Sequence, residues 1–349
     1  MGRRLLGFAL GLGLALGQGL LGGGQGHSAT VVGGALWVWG WGYDGQLGDG
    51  SFLNRTRPVR VLEGVLGVAV GNLHTLVLLP EGKALGFGHN EKGQLGDGTW
   101  ASKGKPVPLP FPARALAAGY AHSLLRGPEG RVYAAGSNEE GQLGEAGGRP
   151  RNRFLPVEGL PPVVGVAAGY FHSLAWTEGG DLYAWGSNLS GQLGTGTVES
   201  SPRPVKVLER VRLAVGGGSF SAALLQDGSV WVTGLDSATF RKVEGLPRAR
   251  ALAAGRAHLL VLGEDGRVYA LGENEEGQLG DGTREGRLEA RRVEGLEGVV
   301  AVGAGDAHSL ALLSDGSLFA WGDNRFGQLG DGTREGRLRP VRVGLPGPP

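Results

Sequence analysis

The tetrapeptide Gly-Gln-Leu-Gly occurs six times, beginning at Gly45, Gly93, Gly141, Gly191, Gly277 and Gly327. Successive copies stand 48, 48, 50, 86 and 50 residues apart, so the wide gap holds a seventh, degenerate unit. Each copy follows another glycine by five residues (Gly40, Gly88, Gly136, Gly186, Gly272 and Gly322), and Gly234 closes a matching apolar segment inside the gap. A period of about 50 residues belongs to propellers and solenoids, in which each unit buries its apolar faces against its neighbours. The period also decides what counts as a functional signal. A residue present in nearly every unit is architecture; function is sought where units differ.

The last unit shows the full pattern. Residues 299–305 read as a first strand, Asp306-Ala307-His308 as a turn, 309–313 as a second strand and Asp315-Gly316 as a hairpin turn. Residues 318–322 read as a third strand, and 340–343, after Gly-Gln-Leu-Gly and a polar loop, as a fourth. Acidic-Gly pairs recur at Glu81-Gly82, Glu129-Gly130, Asp227-Gly228 and Asp265-Gly266, where glycine supplies the positive φ of a tight hairpin. In Leu182-Tyr183-Ala184-Trp185 successive side chains point to opposite faces, yet all four are apolar or aromatic. Such a sheet is covered on both sides, with small residues of one face receiving large ones from the next sheet. The expected fold is all-β, a seven-bladed β-propeller of four-stranded repeats of about 50 residues. Residues 18–349 form this one domain, with a degenerate fifth blade at about 211–246. There Phe220 replaces a repeated histidine, and the loop with its Gly-Gln-Leu-Gly is missing. Residues 277–288 and 327–338 are identical, the mark of an internal duplication.

Charge and composition exclude several classes. The 34 basic and 33 acidic residues leave no excess for a phosphate-binding surface, so no nucleic-acid partner is expected. The absence of cysteine excludes disulfides and thiolate metal sites. At the N-terminus Arg3-Arg4 precede an apolar run of 12 residues, Leu5 to Leu16, too short to span a bilayer, and Ala15-Leu16-Gly17 fits a cleavage site. Residues 1–17 are therefore expected to be an export signal, giving a mature chain that starts near Gln18, lacks a membrane span, and lies in the periplasm, envelope or medium.

The combination Gly-x-x-His-Ser-Leu-Ala-Leu, Asp-Gly, Tyr-Ala-Trp-Gly and Asn-x-x-Gly-Gln-Leu-Gly resembles the repeat of the regulator-of-chromosome-condensation family, over nearly the whole chain after residue 17. The resemblance implies a seven-bladed propeller and leaves function open. The family includes a guanine-nucleotide exchange factor, a plant ultraviolet-B photoreceptor and a secreted bacterial inhibitor of β-lactamases.

His27, His74, His122, His172, His258 and His308 share one repeat position. Around a ring they cannot converge on a metal or form a dyad, so each is expected to be structural, bonded to buried backbone. The two residues between Gly and His vary from unit to unit. They supply the candidate partner-binding rim: Asn72, Leu73, Tyr120, Tyr170, Phe171, Arg256 and Asp306. The resemblance implies interface residues at these positions, and the aromatics among them resemble most the secreted bacterial members. Tyr120, Tyr170 and Phe171 can form an exposed patch, or fold back over the central channel. The loops before Gly-Gln-Leu-Gly, among them Glu139-Glu140 and Glu275-Glu276, are the competing candidates, set on the opposite face.

Phosphate-binding Gly-x-x-x-x-Gly-Lys-Ser/Thr, His-Glu-x-x-His and Gly-x-Ser-x-Gly are all missing, so neither enzyme activity nor a cofactor is expected. The sequence reads as an exported monomeric scaffold that binds another protein. The narrower alternative is an inhibitor of β-lactamase-like or penicillin-binding proteins. Guanine-nucleotide exchange ranks last, because no unit has the inserted wedge that the resemblance attributes to the exchange factor.

Overall fold

The computed structural model describes residues 19–346. The expected export signal, residues 1–17, lies outside the described residues. Seven four-stranded antiparallel sheets form the ring, and in each the four strands follow one another in sequence. The blades span residues 21–62, 67–108, 115–156, 165–208, 211–242, 249–292 and 299–343. The fifth is present but reduced, with an outer strand of two residues, Arg241–Lys242.

The first strand of each blade lines the central channel, which encloses about 580 Å³ and is walled mainly by Ala, Val and Leu. Chain direction sets the rest. His27 pairs with Gly40 and His74 with Gly88 in the second and third strands. The Gly-x-x-His turns and the Gly-Gln-Leu-Gly loops therefore emerge on the same face of the ring. This corrects the sequence expectation that set them on opposite faces. The acidic-Gly hairpins lie on the other face. At two of them the acidic residue also has positive φ, Glu81 at 63° and Glu129 at 65°.

The core is a set of interfaces between blades. Trp39, Trp185 and Trp321 are fully buried, and each donates its indole N–H to a Gln carbonyl of the preceding blade: Gln328, Gln142 and Gln278, at 2.7–2.9 Å. Burying an aromatic ring contributes a large hydrophobic term, provided its polar atom finds a partner. The glycine ending Gly-Gln-Leu-Gly makes room for it. A Cβ on Gly330 would come within 2.8 Å of the Trp39 indole nitrogen, and Gly330 also has φ +78°.

The ring closes without a shared strand. Around the turns runs a belt of backbone hydrogen bonds from blade to blade. Gln25 donates to Asn72, Asn72 to Gly119, Tyr120 to Tyr170, Tyr170 to Gly217, Gly218 to Arg256, Arg256 to Asp306 and Asp306 to Gly24, at 2.9–3.2 Å. The last bond joins the seventh blade to the first.

Candidate functional site

The repeated histidines are fully buried, as expected, but their partner differs from the expectation. Each Nε2 meets the hydroxyl that follows the corresponding position of the next blade: His27 with Thr75, His74 with Ser123, His122 with Ser173, His172 with Ser221, His258 with Ser309 and His308 with Ser28, at 2.8–3.0 Å. Sequence spacing suggested separation because His and Ser are adjacent only within a blade; packing brings together those of successive blades.

These pairs resemble a nucleophile and its base in composition only. Each hydroxyl donates its one proton to a Gln carbonyl, Thr75 to Gln46, Ser123 to Gln94, Ser173 to Gln142, Ser221 to Gln192, Ser309 to Gln278 and Ser28 to Gln328. A carbonyl can only accept, so Nε2 must be the donor toward the hydroxyl. The imidazole therefore carries its proton on the wrong nitrogen to act as a base there. The site is also closed to solvent. Burial, with the neighbouring imidazoles adding to it, lowers the pKa of His27, His74, His172 and His258 to about 3. Burial lowers His122 and His308 to about 4. Among the described residues no group of three His, Asp or Glu is placed to hold a metal ion.

The candidate rim divides in the structure. Tyr120, Tyr170 and Phe171 do form one cluster, with ring centroids 5.3 Å apart for Tyr120–Tyr170 and Tyr120–Phe171 and 6.3 Å for Tyr170–Phe171. Tyr120 and Phe171 remain 38% and 39% exposed. Tyr170 instead folds back over the channel: it reaches across the mouth from the fourth blade to the seventh, and its hydroxyl donates to the Asp306 carboxylate. Burial pushes the Tyr170 phenol well above its usual range, and the Asp306 charge adds to the shift. Beneath this bridge the channel narrows to a space of about 80 Å³ bordered by Asn72, Tyr170, Asp306 and the turn glycines.

The other rim residues are tied into the same mouth. Asn72 is buried, its amide donating to the Gln25 side chain at 2.9 Å. Leu73 is half-buried. Arg256 is bonded to Glu273 at 2.8 Å, which raises the guanidinium pKa. Hence the exposed, unbridged surface of the cluster belongs to Tyr120 and Phe171. Glu139, Glu275 and the exposed Leu189, from the competing loops, stand on the same face outside it.

Comparison with known proteins agrees with this architecture. The fold is similar to that of human WBSCR16, at a TM-score of 0.81 and 26% identity, covering 90% of this chain and 94% of that one. It is also similar to yeast RCC1 (Prp20), at a TM-score of 0.79 and 22% identity, covering 93% of this chain and 85% of that one. The E3 ubiquitin-protein ligase HERC2 of Homo sapiens is 38% identical over 81 residues, or 19% of this chain; the match spans 2% of that protein's length. The Regulator of chromosome condensation (RCC1) repeat matches residues 33–78, 81–125, 129–176, 179–224, 265–312 and 315–348, and a second description of the repeat matches five segments between 65 and 328. With the repeat matched through most of its length and a seven-bladed ring built from it, this chain belongs to the RCC1 repeat family.

Proposed function

We propose that this propeller is a non-enzymatic scaffold that binds another protein through the face bearing its Gly-x-x-His turns, with Tyr120 and Phe171 as anchors. The observation that carries the reading is the joined aromatic cluster on consecutive blades, one ring held by the Tyr170–Asp306 bridge and two open to solvent. Aromatic side chains on a preorganised support lose little freedom on binding and dominate interface energies. The similar yeast protein supports a binding role for such rings: it has been crystallised bound to Kap60, and Prp20p has binding properties toward Gsp1p and histones. Our reading places the mature chain outside the cytoplasm, by way of residues 1–17. Within it the narrower partner class is a β-lactamase-like or penicillin-binding enzyme, favoured by the aromatic turns.

The test is a pull-down from envelope extract with the wild-type chain, Tyr120→Ala/Phe171→Ala and Glu139→Ala/Glu140→Ala. A partner retained by wild type and the glutamate variant, and lost from the aromatic variant, supports the reading. Equal capture by all three defeats it. N-terminal sequencing of the protein from its native source tests export, which a chain starting at Met1 would refute.

A further inference from the structure

Five of the six loops that carry Gly-Gln-Leu-Gly also cap the outer strand of the next blade; the third-blade loop, which has no Gly-x-Gly, packs on the fourth without this bond. In the five, the second glycine of the Gly-x-Gly donates a backbone N–H to a carbonyl near the start of the capped strand. The pairs are Gly50 to Gly104, Gly98 to Asn152, Gly196 to Ala238, Gly282 to Leu338 and Gly332 to Thr56, at 2.8–2.9 Å. The loop lies close: a Cβ on Gly277 would come within 2.6 Å of the Leu338 side chain. The fifth blade has lost this loop, so nothing comparable covers the outer strand of the sixth, Arg287–Arg292. Among the described residues no loop N–H reaches the Leu288 carbonyl.

The molecule contains its own control. Leu288 and Leu338 end identical segments, 277–288 and 327–338. Leu338 is half-buried beneath the loop of the sixth blade, whereas Leu288 is 51% exposed. Since the local sequence is the same, the missing loop accounts for the difference. The segments first diverge at the next residue, Glu289 against Arg339. In four capped strands a basic side chain packs over the second glycine of the covering loop: Arg57, Lys105, Arg153 and Arg339. In the sixth-blade strand that place is taken by Glu289, whose side chain is 85% exposed and, among the described residues, meets only the Arg291 guanidinium, at 3.9 Å.

We propose that the notch between the fifth and sixth blades is a docking groove for a glycine-containing loop of a partner protein. The loop supplies an N–H to the Leu288 carbonyl, an aliphatic side chain to Leu288 and a basic residue to Glu289. The five intramolecular caps define the backbone chemistry of the occupant, as in strand addition by short peptides. The reversed charge at residue 289 distinguishes it from the chain's own loops. The notch lies on the same face as Tyr120 and Phe171 but involves other residues, at the outer strand of the sixth blade, so its test is independent of that reading.

The experiment selects displayed twelve-residue peptides built on Gly-Gln-Leu-Gly-x-Gly against the full chain. We expect enriched peptides to carry Lys or Arg. They should bind Leu288→Asp at least tenfold more weakly, lose their preference for a basic residue on Glu289→Arg, and bind Tyr120→Ala/Phe171→Ala unchanged. Leu288 is a surface position, so Leu288→Asp should fold, which circular dichroism checks. Failure to enrich any peptide overturns the proposal, as do peptides that bind Leu288→Asp as well as wild type. Self-association of the wild-type chain that Leu288→Asp abolishes would make a second copy the occupant, and would overturn it too.

Discussion

Phe220 stands where other blades place a histidine, and Leu259, on the following blade, stands where that histidine would find its hydroxyl. The ring of Phe220 lies against Gly217 as each imidazole lies against its own turn glycine. Two further changes accompany the pair. The fifth blade has no Gln carbonyl to present, and the sixth has Leu271 at the position of Trp39, Trp185 and Trp321. Acceptor, hydroxyl, imidazole and indole have gone together, leaving one apolar contact among Phe220, Leu259 and Leu271. Removing all partners of a buried polar network costs little, whereas removing one strands the others.

Restoring a single member should therefore do harm. Phe220→His is expected to destabilise by about 2–3 kcal/mol, since a buried imidazole would face Leu259. Adding Leu259→Ser should recover part of the loss, though the new hydroxyl still lacks a carbonyl. A double-mutant cycle by denaturant unfolding measures the coupling; strict additivity would contradict the account.

At the intact interfaces the sign reverses. His172→Ala leaves the Ser221 hydroxyl without its donor and opens a cavity, at an expected cost of about 1–3 kcal/mol. Partner capture by the folded fraction should not change. Loss of capture at unchanged melting temperature would mean that His172 touches the partner.

Acid should unfold the ring through the same histidines. Their folded pKa values of about 3 and about 4 lie below the 6.5 of a free imidazole. The unfolded chain therefore binds protons that the folded chain refuses. Their contribution is fully present above pH 6.5 and falls as pH drops toward 3–4, by up to about 1.4 kcal/mol per histidine per pH unit. Six acting together should unfold the protein well before the lower limit. Burial opposes ionisation of Asp281, but hydrogen bonds from Thr283, Arg287 and Asn274 together hold its carboxyl down at about 2, so its contribution is lost only below the ordinary carboxylate range. Denaturant titrations between pH 7 and 4.5 isolate the histidines; a flat stability profile across that window would rule the mechanism out.

The bridge over the channel mouth predicts a division of labour within one cluster. Tyr170→Phe removes the bond to Asp306 and keeps the ring, so it should cost about 1–2 kcal/mol of stability with little effect on partner capture. Tyr120→Ala/Phe171→Ala should do the opposite, weakening capture at least about tenfold while the melting temperature holds. Thermal unfolding beside the pull-down separates the two.

The architecture was legible because it repeats. Gly-Gln-Leu-Gly marked six blades, Gly234 marked the seventh, and the strands of the last blade, 299–304, 308–313, 318–322 and 337–343, fall close to where alternation and turn residues put them. The buried position of the histidines followed from their recurrence. Their partners did not, because His172 and Ser221 are 49 residues apart and meet only when blades pack. Tyr170 and Asp306, 136 residues apart, meet across the ring, a relation no local pattern encodes. The shared face of turns and loops could have been found: four antiparallel strands return the chain to the same side after every second one.

One consequence of blades made of consecutive strands concerns how the circle can fail. Six of the seven junctions have a covalent link as well as their contacts; that between the seventh blade and the first has contacts alone. Three side-chain bonds, His308 with Ser28, Ser28 to Gln328 and Trp39 to Gln328, and two backbone bonds, Asp306 to Gly24 and Gly332 to Thr56, fasten this seam. The circle has a clasp, and a force that separates the two ends of the chain acts on those five bonds first.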